Sequence, residues 1–109
     1  MIARHWRGLA KSDRADAYIE HLRDDTFPAL ARLAGFIEAS ILRRELASGT
    51  EFLVVTIWAS LESIRAFAGA DIEVAVVPAG VQDMMIDYDS SARHYQVLAQ
   101  ARAGTASTA

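Results

Sequence analysis

The stretch Glu51–Gly69, EFLVVTIWASLESIRAFAG, decides the fold. Glu51 to Trp58 is rich in β-branched and aromatic side chains and nearly free of polar alternation, which predicts a strand buried on both faces. At Ala59 and Ser60 the period changes. Ser60 carries the short hydroxyl that caps a helix, Glu62 suits the positive first turn, and Leu61, Ile64 and Ala68 recur at helical spacing. Gly69 supplies the left-handed residue that ends the helix.

Upstream, Ala47-Ser48-Gly49-Thr50 is a hairpin signal, so Phe36–Leu46 is expected as an antiparallel neighbour, with Ile37, Ala39 and Ile41 on one face and Glu38, Ser40 and Arg44 on the other. Pro28 to Ala34 reads as a short helix closed by Gly35, preceded by a break over Asp24–Phe27. Ala15, Tyr18, Ile19 and Leu22 give the clearest amphipathic stripe, with Ser12 or Asp13 as its cap. Ile2–Arg7 is the first strand, with Ile2, Arg4 and Trp6 alternating against Ala3, His5 and Arg7. Downstream, IEVAVV after Asp71 is a short apolar turn ended by Pro78 and Gly80. Met84–Tyr88 fits either an extended segment or a loop. Ala92–Ala99 is a last strand with His94, Gln96 and Leu98 opposite Arg93, Tyr95 and Val97, and Ala101–Ala109 is expected to fray as a disordered tail. The order β-α-β-β-α-β defines an α+β, ferredoxin-like domain over residues 1–100, with both helices on one face of an antiparallel sheet.

A chain of 109 residues has room for one domain and none for a separate catalytic one. Apolar residues make up 52% of it but aromatic ones only 8%, so the surplus is aliphatic, and a single small domain cannot hide it all. That surplus and an apolar bare sheet face both point to a homodimer packed face to face. Eleven basic against fourteen acidic residues, with no basic cluster, argue against nucleic acid. The absence of cysteine removes thiolate catalysis, disulfides and thiolate metal sites. Arg4 and His5 interrupt the N-terminus too early for a signal peptide, and no run approaches the roughly 20 apolar residues of a membrane span, so a cytoplasmic protein without membrane contact is expected.

The run RRELASGTEFLVVTIWASLESIRAFAG, the apolar turn after it and the late pair His94-Tyr95 resemble the antibiotic biosynthesis monooxygenase family of dimeric α/β-barrel proteins. The resemblance spans Ile2 to Leu98 and is most specific at WASLESIRAFAG. It implies a ferredoxin-like homodimer with a pocket between sheet and helices. Some relatives oxidise aromatic polyketides or quinols with molecular oxygen and no bound cofactor; others degrade haem. The haem-degrading branch carries a Trp in the second helix and an iron-ligating His about ten residues later, positions that fall on Phe67 and Val77 here. Two expectations from different classes follow: a reaction without cofactor or metal on a small aromatic or quinol-like molecule, or a non-catalytic dimeric small-molecule-binding or stress-related module that kept the fold, with haem binding as a third reading.

Chemistry must come from a few side chains. His5 and His94 lie on the first and last strands, which neighbour one another in this fold, so they are expected to approach across the ladder. Half-buried imidazoles satisfied by backbone or water are the commoner case, and either is also a candidate base for a phenolic proton. His21 falls on the polar side of its helix and reads as a solvated residue. Trp6 and Trp58, late on strands expected to neighbour and run parallel, are candidate pocket walls, and Trp58 is also suited to plugging the seam between sheet and helix. Tyr95 is a further candidate substrate contact, but it alternates against His94, so only one of the two can face the pocket. Arg43 and Arg44 read as a solvated rim, and Met84-Met85 as core or dimer filling.

Overall fold

The computed structural model describes residues 1–104. Among these residues five strands form one antiparallel sheet: β1 (Ile2–Ala10), β2 (Phe36–Leu46), β3 (Gly49–Trp58), β4 (Met85–Tyr88) and β5 (Arg93–Gln96). The order is β2-β3-β1-β4, and β5 pairs the same edge of β1 as β4 does. β4 and β5 are thus one interrupted strand: the first pairs Gly8 to Ala10 and the second Ile2 to His5. The fold is ferredoxin-like, as the element order predicts. Among the described residues no helix is long and apolar enough to cross a membrane.

The seam around β3 is built as its residues dictate. Phe52 and Trp58 are wholly buried, and Ser60 caps α3 (Leu61–Ala68). Its hydroxyl accepts from the Ser63 amide at 3.2 Å while the Ser63 hydroxyl accepts from the Ser60 amide at 3.3 Å, a reciprocal capping box. Gly69 does end the helix at a positive φ of 87°, though with an extended ψ of −169° rather than in the left-handed helical state. The hairpin is tighter than expected. Leu46 pairs Gly49 directly, so only Ala47 and Ser48 form its loop.

Several expectations need correction. β1 and β3 are neighbours but antiparallel, pairing Ile2 with Trp58 and Trp6 with Val54, so Trp6 and Trp58 stand far apart along the ladder. Asp24–Phe27 is no break: α1 (Ala15–His21) continues through a π-helical turn, Leu22–Thr26, into α2 (Phe27–Leu30). The Phe27 amide bonds back five residues to the Leu22 carbonyl, and this widening gives Pro28 room where its ring would otherwise strike the turn before it. Ser12 and Asp13 lie within a 3-10 turn, and no side-chain hydrogen bond caps α1. Ile37 is the extra residue of a bulge between Phe36 and Glu38, which leaves it exposed while Phe36 and Ala39 both face the helices. Of Met84–Tyr88, Met84 is in a turn and Met85–Tyr88 is extended, with Met85 in the core. Of the tail expected to fray, residues 101–104 carry no helix or strand, and residues 105–109 lie outside the described part.

The sheet face away from the helices is mixed rather than apolar. It carries Leu42, Leu53, Val55 and Tyr95, but also a charged group in which Glu51 accepts from Arg7 at 2.6 Å and from Arg44. Both arginines hold the Glu51 carboxyl below the ordinary carboxylate range, Arg44 more than Arg7. On the helix side the core divides. One cluster gathers Tyr18, Leu22, Phe52, Val81 and Met85; the other gathers Leu30, Trp58 and Ile64. A cavity lies between them.

Candidate active site

The cavity holds about 300 Å³ and draws its walls from both clusters. That is within the range of small-molecule sites. Arg4, Trp6, Val54 and Thr56 form its floor, because strand alternation turns these positions of β1 and β3 toward the helices. Tyr18, His21 and Leu22 come from α1 and the turn after it, Phe67 from α3, and Val76, Pro78 and Val81 from the segment that crosses over to β4. The lining is mainly apolar, with polar groups at a few points.

The first polar group is Arg4. Only 5% of it is exposed, and its charge faces no carboxylate among the described residues. Nη1 donates to the Ile72 carbonyl and, at 2.8 Å, to Nε2 of His94; Nη2 donates to the Val74 carbonyl at 3.2 Å. Its guanidinium also lies over the Phe67 ring, 5.9 Å from the centroid. Burial lowers the Arg4 pKa from its usual value. Since a guanidinium only donates, Nε2 of His94 must accept, which places the His94 proton on Nδ1. Burial, and then the Arg4 charge, push the His94 pKa down, with Glu73 acting weakly the other way.

The second is Tyr18. It is 3% exposed, lines the cavity, and has no hydrogen-bond partner for its hydroxyl among the described residues. Burial raises its pKa, so the phenol stays protonated as a donor. The third is His21, in the wall beside Tyr18. Its Nδ1 lies 3.4 Å from Asp25 Oδ2 and its Nε2 lies 3.2 Å from the Thr26 hydroxyl. Asp25 and Thr26 both border the cavity because the π-helical turn carries them there. With the Asp25 carboxylate beside Nδ1 favouring a proton there, Nε2, which the Thr26 hydroxyl also reaches, is the nitrogen that can accept one.

The residues singled out from the sequence divide between the two faces. Trp6 lines the cavity and donates from Nε1 to the Asp89 carbonyl at 2.8 Å. His94 is on the helix side but stands behind Arg4, outside the cavity wall. His5 and Tyr95 lie together on the opposite face, rings 5.1 Å apart, and burial lowers the His5 pKa. His5 and His94 therefore do not meet: His94 pairs with Arg4, and His5 with Arg93. Trp58 is 0% exposed and fills the seam, stacked with Phe67 and bonded from Nε1 to the Thr56 hydroxyl at 2.8 Å. Arg4, Tyr18 and Asp25 carry no functional signal in the sequence read residue by residue, and His21 reads there as solvated. The spacing Tyr18, His21, Leu22, Asp25 is i, i+3, i+4, i+7, a signal that these residues share one helix face.

The sequence pattern of the antibiotic biosynthesis monooxygenases matches residues 1–74, and the chain belongs to this family. No curated protein matches the sequence. Solved structures of similar fold include a cofactor-independent oxygenase from Streptomyces nogalater, 13% identical over 91% of this chain and 94% of that one, with a TM-score of 0.61. A monooxygenase of Streptomyces coelicolor, solved with nanaomycin D, is 13% identical over 94% of this chain and 92% of its own, with a TM-score of 0.66. A haem degrader of Mycobacterium tuberculosis, solved with two haems in its active site, is 18% identical over 94% of this chain and 100% of its own, with a TM-score of 0.58. At these identities the likeness is one of fold.

The axial imidazole of the haem-degrading branch has no counterpart at its expected position. Val77, where the resemblance placed an axial imidazole, packs against the core, and neither α3 nor α4 (Ala79–Gln82) contains a histidine.

Proposed function

We propose that the chain is a cofactor-independent monooxygenase acting on a small aromatic or quinol-like substrate in the cavity between sheet and helices. The observation that carries this reading is an imidazole beside a carboxylate in the wall of a mainly apolar cavity of about 300 Å³. His21 removes an acidic proton from the bound ring system, and Asp25 stabilises the imidazolium that forms. The deprotonated substrate is electron-rich enough to reduce oxygen directly. For a ring methylene flanked by aromatic carbons, one oxygen atom becomes the new carbonyl and the other leaves as water. All the electrons come from that methylene carbon, and its two hydrogens end in the water. The protein contributes the base, the orientation and a dry cavity. Family membership and the oxygenases of similar fold support the reaction class.

The same reading includes a homodimer through the open sheet face, supported by Leu42 and Tyr95, which are 51% and 50% exposed there. Light scattering that returns a monomer mass at micromolar concentration refutes the dimer.

Oxygen consumption with a panel of hydroquinones and anthrones tests the reaction. His21→Gln is expected to lower kcat by about 10²–10⁴-fold, the usual worth of a positioned base. His5→Ala, on the far face, should leave kcat unchanged. Uptake that survives His21→Gln in full removes His21 from the mechanism, and no uptake across the panel counts against the monooxygenase reading in favour of a non-catalytic binding module.

A further inference from the structure

We propose that the cavity is an aromatic-acid site: it takes a planar aromatic ring bearing a carboxylate, with the carboxylate on Arg4 and the Tyr18 hydroxyl, and with His94 as the residue that positions Arg4. The inference deepens the proposed function by naming a substrate class, and it rests on that reading only for the use made of the bound molecule.

A buried cation is costly unless an anion or a full set of acceptors compensates it. Arg4 has neither. Of the five N–H donors of a guanidinium, three are engaged, by Ile72, Val74 and His94, and these acceptors are neutral. Nε–H and one Nη2–H have no partner among the described residues, at the floor of a cavity whose other walls are largely apolar. Tyr18 repeats the pattern with a buried hydroxyl that has no partner among the described residues. Two unrelated side chains on different elements thus bring unused donors to one apolar space. Donors without acceptors call for an oxyanion, and the planar guanidinium matches a carboxylate better than it matches a single oxygen. Trp6 and Phe27 line the same cavity and supply aromatic surface for an aromatic body. His94 works one step back, since its Nε2 takes the Nη1 hydrogen that would otherwise compete for the ligand.

Isothermal titration of the intact protein with 2-naphthoate and its neutral isostere 2-naphthamide reads the site without any oxygen chemistry. Wild type is expected to prefer naphthoate at least tenfold. Arg4→Gln should bring naphthoate down to the naphthamide affinity while leaving naphthamide unchanged, and Tyr18→Phe should lose part of the preference. His94→Leu should reduce the preference, and His94→Gln, whose side-chain oxygen can accept from Arg4, should restore it; a merely structural role for His94 would not show that rescue. Should Arg4→Gln fail to fold, the wild-type comparison and the Tyr18→Phe variant decide alone. Equal affinity for the two probes, or binding of neither, overturns the proposal. Naphthoate preference without oxygen uptake keeps the acid site and sinks the monooxygenase reading; oxygen uptake with no naphthoate preference does the reverse.

Discussion

Gly8→Ala tests whether the wall of the cavity is packed as described. Gly8 and Trp6 are on the same face of β1, and a Cβ at Gly8 would lie 2.7 Å from Trp6 Cη2, 3.0 Å from Cζ3 and 3.0 Å from Met85 Sδ. Ordinary carbon contacts are about 3.5–4.0 Å, so the indole must move by about 1 Å. Met85 is flexible enough to yield; the indole is tied to the Asp89 carbonyl. Overpacking of this kind costs about 1–3 kcal/mol, while replacing a strand glycine by alanine returns about 0.5–1 kcal/mol of backbone entropy. The net is a loss of about 0–2.5 kcal/mol in the wild-type background. In a Trp6→Phe background the colliding ring atoms are gone, and the same substitution should stabilise by about 0.5–1 kcal/mol. Urea melts of the four proteins in the cycle measure both steps, and the coupling should be about 1–3 kcal/mol with a change of sign. An equal effect of Gly8→Ala in both backgrounds would refute the packing of the indole over Gly8.

Three further outcomes are expected of the same structure. Ile64→Ala empties a side chain that is 0% exposed in the smaller core cluster, and chemical denaturation should show a loss of about 2–5 kcal/mol. Ser60→Ala removes half of the capping box of α3 and should cost about 1 kcal/mol, read as a drop in Tm of about 4 °C. The His94 pKa is depressed below the ordinary 6.5, so below pH 6.5 the unfolded chain binds a proton there before the folded one does, and stability should fall with pH until the folded group also titrates. His5, depressed by burial as well, acts in the same direction. Thermal melts from pH 7.5 to 5 should show this decline, and His94→Gln should flatten it; a Tm independent of pH over that interval would contradict the burial of the imidazole.

How much was legible depended on how local each signal was. The passage from β3 into α3 is written in consecutive residues, a β-branched run, then Ser60, then Gly69, and its elements form where expected, although the helices cover β3 on one face only and Gly69 ends α3 with an extended ψ. The alternation of β1 put Arg4 and Trp6 on one face and His5 on the other, and that also held. What failed were relations between distant elements. Reading β1 and β3 as parallel brought Trp6 near Trp58, whereas the antiparallel ladder sets them at Val54 and Ile2 respectively. Arg4 gives no signal in the sequence because a charge in a core stripe runs against the usual distribution, and only the fold shows that it has no counter-ion among the described residues. His21 was assigned to water because α1 was read as an isolated amphipath. The π-helical turn extends that helix instead of ending it, and Asp25 and Thr26 come round to join His21 at the cavity.

The interruption between β4 and β5 ties the sheet to the site. Had the strand run unbroken along β1, the Asp89 carbonyl would have been a rung of the ladder; released from it, this oxygen moors the indole of Trp6. The released residues also reach outward. The Ala75 amide donates to the Ser90 carbonyl at 3.0 Å and the Ala92 amide to the Glu73 carbonyl at 2.8 Å, while Ile72 and Val74 in the same strap hold the guanidinium of Arg4. Both anchors of the cavity floor therefore hang from one defect in a β-ladder. Repairing that defect, by trimming the insert until β4 and β5 fuse, would make a more regular sheet and a worse pocket.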